Sequence, residues 1–301
     1  MDLQKAVEDY IARKRLIGFR YRTNSYELRS LMRFLPGIAL NQIRVAEVER
    51  FLDQPTIGRN TWIGRYTRFK AFFSYWRGRG KLRRIPLPRP RRGRKRVFSP
   101  YIFTPFQIKS LLKHASVLNH CLATISPNTF CCLLITLYAT GLWLDEALSL
   151  KRSDFDQEER TLRVNSRASM VRKIPIGRDL CRILECHLRV SFASELIFST
   201  KTGTRIGCHH AGVYFRRCMK RARFRREDGA RRQPGLRDMR HAFAVSRITE
   251  WERVGSDMDL MLPRLSVYMG LSTFSTTERY LPLAPTHFRK QIRSLSSAET
   301  P

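Results

Sequence analysis

Two arginines that could bind a phosphate lie close together in the C-terminal half of the chain. Residues 236–241 read L-R-D-M-R-H, so Arg237 and Arg240 are three residues apart and His241 follows directly. A guanidinium is always cationic and offers forked hydrogen-bond donors, which suit phosphate oxygens. In so basic a protein Arg240 alone would carry no information, but within this stretch we interpret it as a phosphate ligand.

Metal binding is the other chemistry that the residue types suggest. Cys208, His209, His210 and Cys218 lie near one another in the sequence. Zinc motifs pair their ligands at tighter, repeated spacing. We therefore predict ordinary helix and loop residues here, with no metal.

Three stretches in order resemble the signatures of the tyrosine recombinase (phage integrase) family. They are T-G-L-W-L-D-E-A-L-S-L at 140–150, L-R-D-M-R-H-A-F-A at 236–244, and M-G-L-S at 269–272 followed by S-T-T-E-R-Y at 275–280. The family signatures read T-G-L-R-x-x-E-L-x-x-L, H-x-L-R-H-x-F-A and L-G-H-x-x-x-x-T-T-x-x-Y. One motif would be weak evidence, but three in order are specific, and the resemblance covers essentially the whole chain.

The resemblance implies a site-specific DNA recombinase or integrase, of the kind carried by mobile elements. In this family a tyrosine attacks a DNA phosphodiester and forms a 3′-phosphotyrosyl intermediate, which keeps the bond energy, so the resemblance implies that neither ATP nor any other cofactor is required. Tyr280 matches the nucleophile and Arg240 the second arginine of the site. His241 matches the histidine that follows this arginine, and Glu146 matches the acidic residue of the first signature.

Three family positions hold other residues in this chain. Trp143 replaces the first arginine, Arg237 replaces the first histidine of H-x-L-R-H, and Leu271 replaces the histidine after the glycine. Tryptophan offers no charge-assisted donor, leucine neither donates nor accepts, and arginine is a poor general acid. Losing one preorganised donor typically costs on the order of 10²–10³ in rate. One hypothesis is that Arg237 moves its guanidinium to the place of the missing arginine.

The family also has a lysine in a β-hairpin. Arg167 matches it if the strand ending at Ile176 sets the register, and Arg172 or Lys173 matches it if the loop is shorter. The altered set leaves two functions open: an active recombinase, or a catalytically impaired DNA-binding member that assists a partner recombinase. A plain architectural DNA binder is disfavoured because no helix-turn-helix or zinc-finger spacing supports it.

The composition agrees with a polyanionic partner. Lys and Arg number 57 against 25 Asp and Glu, a net charge of +32, which indicates nucleic acid and, with the resemblance, double-stranded DNA. The 43% of hydrophobic residues can form a core, which excludes a disordered tail. The longest apolar run, 130–144, is too short to span a bilayer, and no signal-peptide core begins the chain. We expect a cytoplasmic, nucleoid-associated protein without membrane contact and with reduced cysteines.

The N-terminal region predicts a helical bundle over residues 1–76, which resembles the core-binding domain of the family. Helices are predicted at 3–16, at 26–35 with a cap at Asn24 and Ser25, at 45–52 and at 60–76. Aromatic residues recur at helical spacing in the last helix and predict core. The opposite face is predicted to bind DNA through Arg59, Arg65, Arg68 and Lys70.

Residues 77–102 predict a basic linker rich in proline, glycine and arginine. Like charges repel, so we expect it to be extended and mobile until DNA phosphates neutralise it. No acidic residue lies between Asp53 and Asp145, which favours DNA contact over a merely solvated linker. The predicted contacts are Lys81, Arg83, Arg84, Arg91, Arg92, Arg94, Lys95 and Arg96.

Residues 103–294 resemble the catalytic domain, and 295–301 predict a tail. Helical patterns surround two short strands near 160–164 and 172–176, which predict a hairpin. The expected fold class is mainly α with a small β element (α+β). The resemblance also implies an oligomer on DNA, formed with copies of the chain or with another recombinase.

Overall fold

The computed structural model describes residues 1–19, 21–91, 100–117, 124–165, 171–191, 194–226, 233–271 and 277–283. The chain divides into two compact units, Met1–Val97 and Phe98–Pro301. Each unit has a hydrophobic core of its own.

Helices form the first unit over its described residues. They are α1 (Leu3–Leu16), α2 (Arg22–Phe34), α3 (Val45–Leu52) and α4 (Arg59–Arg77), with a 3-10 turn at Leu40–Gln42. The carboxylate of Asp2 accepts a hydrogen bond from the Gln4 N–H and so caps α1. The predicted apolar positions of α1 are all buried: Leu3, Ala6, Val7, Tyr10 and Ile11.

The start of α2 differs from the prediction. The helix begins at Arg22 and follows Tyr21, whose backbone is left-handed with φ 45°. Asn24 does not cap it, because its Oδ1 accepts a hydrogen bond from Arg68 Nε at 2.9 Å. A partner on a distant helix therefore takes the side chain that a local pattern would assign to capping.

The aromatic residues of α4 are core, as predicted. Trp62, Phe69, Phe72, Phe73 and Trp76 are all buried. They pack with the apolar residues of the other helices and give the bundle a single core.

The chain after α4 packs on the bundle instead of leaving it. Leu82, Pro86 and Pro88 are buried, and Leu82 belongs to the core of this unit. Arg91 donates a hydrogen bond to Asp53 at 2.8 Å. Residues 82–88 of the predicted linker therefore pack on the core through apolar side chains, which the expectation of an extended segment, argued from like charges alone, did not include. The rest of the predicted basic run, 92–99, lies outside the described residues.

The second unit places helices around a small antiparallel sheet. The helices are α5 (Pro105–Ser116), α6 (Pro127–Thr140), α7 (Leu144–Ala147), α8 (Arg178–Val190), α9 (Cys208–Arg221), α10 (Arg237–Arg253) and α11 (Met258–Met269). The strands are β1 (Phe155–Asp156), β2 (Thr161–Asn165) and β3 (Val171–Pro175), in that order across the sheet. The predicted α+β class and hairpin are confirmed, with β1 as an additional strand.

Helix α6 is the central element of this unit. It begins at Pro127 after Ser126, whose hydroxyl caps the helix, and it ends at Gly141 in the left-handed conformation with φ 63°. Its apolar sides pack against α5, α8 and α10. Among the described residues, the structure shows no helix with the length and apolar character needed to cross a bilayer.

Candidate active site

The residues singled out by the motifs meet where several chain segments converge in the second unit. The turn after α6 brings Trp143 and Glu146, the first turns of α10 bring Arg240 and His241, and the turn at 277–280 brings Tyr280. Strand β3 and the C-terminal end of α11 complete the site.

Arg240 is buried, with 2% of its surface exposed. Its Nη1 donates to the carbonyl of Gly141 at 2.6 Å, and its Nη2 donates to the carbonyl of Met269 at 2.8 Å. Burial lowers the pKa of Arg240 to about 10, against the attraction of Tyr280 and Glu146. The group therefore keeps its positive charge at neutral pH in a fixed position.

The indole ring of Trp143 lies against two guanidinium groups. The Cζ atom of Arg240 is 4.5 Å from the ring centroid, and the Cζ atom of Arg237 is 5.1 Å from it. Both distances fall within the range of cation–π attraction. Arg240 is buried and Arg237 is exposed, so the ring connects an interior cation with a surface cation.

Glu146 is paired with Arg172 of strand β3. The two Nη atoms of Arg172 each lie 2.9 Å from one carboxylate oxygen, and its Nε donates to the carbonyl of Tyr268 at 3.0 Å. The Arg172 guanidinium also passes so close to Gly270 that a Cβ atom there would lie 2.8 Å from Nη1. This bidentate pair ties the turn after α6 to the sheet and to α11.

The Tyr280 hydroxyl lies 3.0 Å from Nδ1 of His241. Tyr280 is 4% exposed and His241 is 3% exposed. Burial raises the pKa of the Tyr280 phenol, and the positive charges of Arg240 and Arg237 oppose this rise. The phenol is therefore protonated at neutral pH, with an imidazole nitrogen in position to take its proton.

This set of groups suits attack on a phosphate. A phenol with an adjacent acceptor can act as an activated nucleophile. Two guanidinium groups beside it can hold the phosphate oxygens and stabilise the charge that develops during attack. The structure thus brings Tyr280, His241, Arg240 and Arg237 together with Trp143.

Leu271 contributes no polar group to this cluster. Leu271 is half-buried and packs against the hydrophobic cluster that contains Tyr280. Arg167 lies outside the described residues, as does Thr276 of the third motif.

The role of Arg172 was missed in the sequence, where it was only an alternative for the hairpin residue. The sequence did contain a signal. Position 143 holds tryptophan instead of the arginine of the family signature, and a carboxylate such as Glu146 needs another cation when it is buried. Lys173, the other alternative, is exposed, and its Nζ lies 3.9 Å from Oδ2 of Asp156.

Six of the eight described residues that were predicted to bind DNA through the first unit are exposed. These are Arg59, Lys70, Lys81, Arg83, Arg84 and Arg91. Arg68 is half-buried against Asn24. Arg92, Arg94, Lys95 and Arg96 lie outside the described residues.

The structure corrects the prediction for Arg65. Its side chain is 14% exposed, and its Nε lies 2.6 Å from a carboxylate oxygen of Glu27. Its Cζ atom lies 5.0 Å from the ring centroid of Phe51. Arg65 therefore points into the bundle, because Glu27 of α2 offers a partner that helical spacing alone does not reveal.

Comparison with known proteins shows which family the chain belongs to. Residues 102–287 match the sequence model of the phage integrase family. The chain belongs to the phage integrase family. These are the tyrosine recombinases that the three motifs indicated, and the prediction of a site-specific DNA recombinase is confirmed.

Two curated relatives of this recombinase come from Sinorhizobium fredii (strain NBRC 101917 / NGR234). One, named "Putative integrase/recombinase y4rB", is 27% identical over 97% of this chain and 96% of its own length. The other, named "Putative integrase/recombinase y4rE", is 26% identical over 93% of this chain and 91% of its own length.

Solved structures share the fold of this recombinase. The Tn1549 transposon integrase in complex with transposon right end DNA has a TM-score of 0.69 at 16% identity, over 98% of this chain and 100% of that one. A lambda integrase dimer bound to a COC' core site has a TM-score of 0.66 at 16% identity, over 92% of this chain and 97% of that one. At this identity the likeness concerns the fold.

Proposed function

We propose that this recombinase cuts and rejoins double-stranded DNA through a covalent link between Tyr280 and a 3′-phosphate. The observation that carries the proposal is the 3.0 Å contact between the Tyr280 hydroxyl and His241 Nδ1, beside Arg240 and Arg237. No cofactor enters the reaction, because the phosphotyrosyl bond keeps the energy of the phosphodiester bond that it replaces.

The roles of the groups follow from their positions. The Tyr280 oxygen forms a bond to phosphorus while the bond from phosphorus to the 5′-oxygen breaks, and the phenol proton passes to His241. Arg240 and Arg237 bind the non-bridging oxygens, on which negative charge gathers. The departing 5′-oxygen takes a proton from water, since an arginine is a poor general acid. Rejoining is the reverse of these steps.

Trapping the intermediate tests the proposal. The full chain is incubated with a nicked duplex that carries its recombination site, so that the short 5′ fragment diffuses away after cleavage. We expect an adduct that resists denaturation, and peptide mapping should find a nucleotide on Tyr280, attached through the 3′-phosphate. Absence of any adduct under all partner combinations would contradict the proposal.

We propose that the first unit provides most of the sequence-independent affinity for DNA. Residues 1–100 contain 25 basic and 7 acidic residues, and Arg59, Lys70, Arg83 and Arg84 are exposed there. In this reading the unit corresponds to the core-binding domain of the family, and the recombinase works in the cytoplasm at nucleoid DNA. On DNA it would form an oligomer with further copies or with another recombinase.

The affinity for DNA is expected to fall steeply with salt. Each neutralised phosphate adds about 0.9 to the slope of log affinity against log salt concentration. Replacing the exposed Arg83 by glutamine should reduce the slope by about 0.9. The matched change Arg65→Gln should leave the slope unchanged, because Arg65 is held by Glu27. Fluorescence anisotropy with a labelled duplex measures both slopes, and equal effects of the two changes would contradict the assignment.

The pH dependence of cleavage should report on His241. In a His241→Ala variant no imidazole takes the proton, so the rate should follow the fraction of Tyr280 phenolate, which rises about tenfold per pH unit below the pKa. Burial raises the pKa of Tyr280 above its ordinary value of 10.0, so this rise should continue up to pH 9 without a plateau. Adduct formation from pH 6 to 9, where Arg240 keeps its charge, measures this, with the wild type, whose dependence should be shallower, as control. A plateau below pH 9 in the variant would count against the assignment.

A further inference from the structure

Trp143 is held at a fixed place in the site by its own backbone. It precedes the short helix α7, and its N–H donates to Glu146 Oε2 at 3.1 Å. Glu146 is in turn bound by both Nη atoms of Arg172. The backbone of Trp143 therefore belongs to a turn that is bonded to strand β3 through Glu146 and Arg172. This gives the indole ring a defined position beside Arg240.

The two arginines that meet this ring repel each other. Burial lowers the pKa of Arg240 the most, and the like charges of Arg172 and Arg237 lower it further. Arg240 is fixed by two backbone carbonyls, but Arg237 is exposed at the first residue of α10. An exposed arginine would otherwise turn away into solvent, where its charge is better screened. The electron-rich face of the indole attracts both cations and opposes that movement.

We propose that Trp143 is a positioning residue that stacks on Arg237 and Arg240 and holds both guanidinium groups toward one phosphate. The exposed Arg237 would then supply the second cation at this phosphate. The inference rests on the proposed function, since the phosphate is the one that Tyr280 attacks.

Two variants of Trp143 separate positioning from general folding. Trp143→Phe keeps an aromatic face, and Trp143→Ala removes it. We expect the alanine variant to form the covalent adduct about tenfold more slowly than the wild type, which is the size of effect that one or two cation–π contacts give. The phenylalanine variant should recover most of the rate. Equal rates for the wild type and the alanine variant would overturn the inference, as would equal losses in both variants.

Restoring an arginine provides a sharper contrast. In Trp143→Arg a third guanidinium would join Arg237 and Arg240, and no ring would remain for them to stack on. Arg172 already adds a like charge near Arg240. We expect this variant to be slower than the wild type. A rate above that of the wild type would show that position 143 lacks a catalytic charge, and it would overturn the positioning role.

Binding of inorganic phosphate gives a readout that does not need cleavage. By calorimetry we expect the alanine variant to bind phosphate about tenfold more weakly than the wild type. An Arg237→Ala variant should show a similar loss, and the double variant should lose no more than either single variant, because one role is shared. Additive losses, unchanged binding in Trp143→Ala, or no binding by the wild type would overturn the inference. If phosphate binds as expected but no adduct forms, the proposed function is refuted. The inference that Trp143 positions Arg237 and Arg240 then still holds.

Discussion

Phenylalanine at position 280 is expected to abolish the covalent adduct with DNA completely while leaving the affinity for DNA unchanged. The substitution removes only the hydroxyl, and the ring can still pack in the cluster that contains Phe243 and Leu265. Without the phenol oxygen no bond to phosphorus can form, whatever the arginines do. Electrophoresis under denaturing conditions measures the adduct, and anisotropy measures the affinity.

A second tyrosine provides the matched control. Tyr268 lies in the same unit, and burial raises its pKa to about 12. Its hydroxyl donates to the carbonyl of Pro175 at 3.2 Å, whereas the Tyr280 hydroxyl lies against His241. We expect Tyr268→Phe to form the adduct at close to the wild-type rate. An adduct in Tyr280→Phe, or its loss in both variants, would refute the assignment of the nucleophile.

Alanine at position 240 is expected to slow adduct formation by on the order of 10²–10³ at saturating DNA. Arg240 is the most deeply buried cation of the site, and both of its Nη atoms are fixed by backbone carbonyls. A preorganised charge of this kind stabilises the charge of the transition state, whereas one phosphate contact among many contributes little to total affinity. The substitution should therefore lower the rate at saturating DNA while leaving the affinity for DNA nearly unchanged.

Arg247 is the matched control on the same helix. It is exposed and lines a cavity of about 300 Å³ with Trp251 and Tyr268, and Trp143 does not line this cavity. Arg247→Ala should leave the rate nearly unchanged. A thermal melt of Arg240→Ala is needed beside the kinetics, because the carbonyls of Gly141 and Met269 lose their donors. A variant that stays folded and cleaves at the wild-type rate would remove Arg240 from the mechanism.

Local signals in the sequence account for much of the fold. Thr104 and Gln107 form the reciprocal cap that begins α5, and Gly141 ends α6, as their residue types favour. The apolar spacing of α1 and the aromatic spacing of α4 placed the correct residues in the core. These features depend on residues within a few positions of one another.

Features that depend on distant partners were not predictable in the same way. Helical spacing placed Arg65 on the basic face, but Glu27 on another helix draws it inward. Asn24 fits the pattern of a cap, yet Arg68 binds it. The contact of Trp143 with Arg237 and Arg240 joins residues nearly one hundred positions apart, and no local pattern encodes such a meeting.

The two carbonyls that hold Arg240 both stand at the ends of helices. Gly141 closes α6 and Met269 is the last residue of α11, so two helix dipoles direct their negative ends at one guanidinium. Each end contributes about half an elementary charge, which together balance the buried cation without a carboxylate bound to it. Backbone dipoles do not titrate, so acid should leave the contribution of these two carbonyls to the balance unchanged, and substitution of their side chains does not remove it.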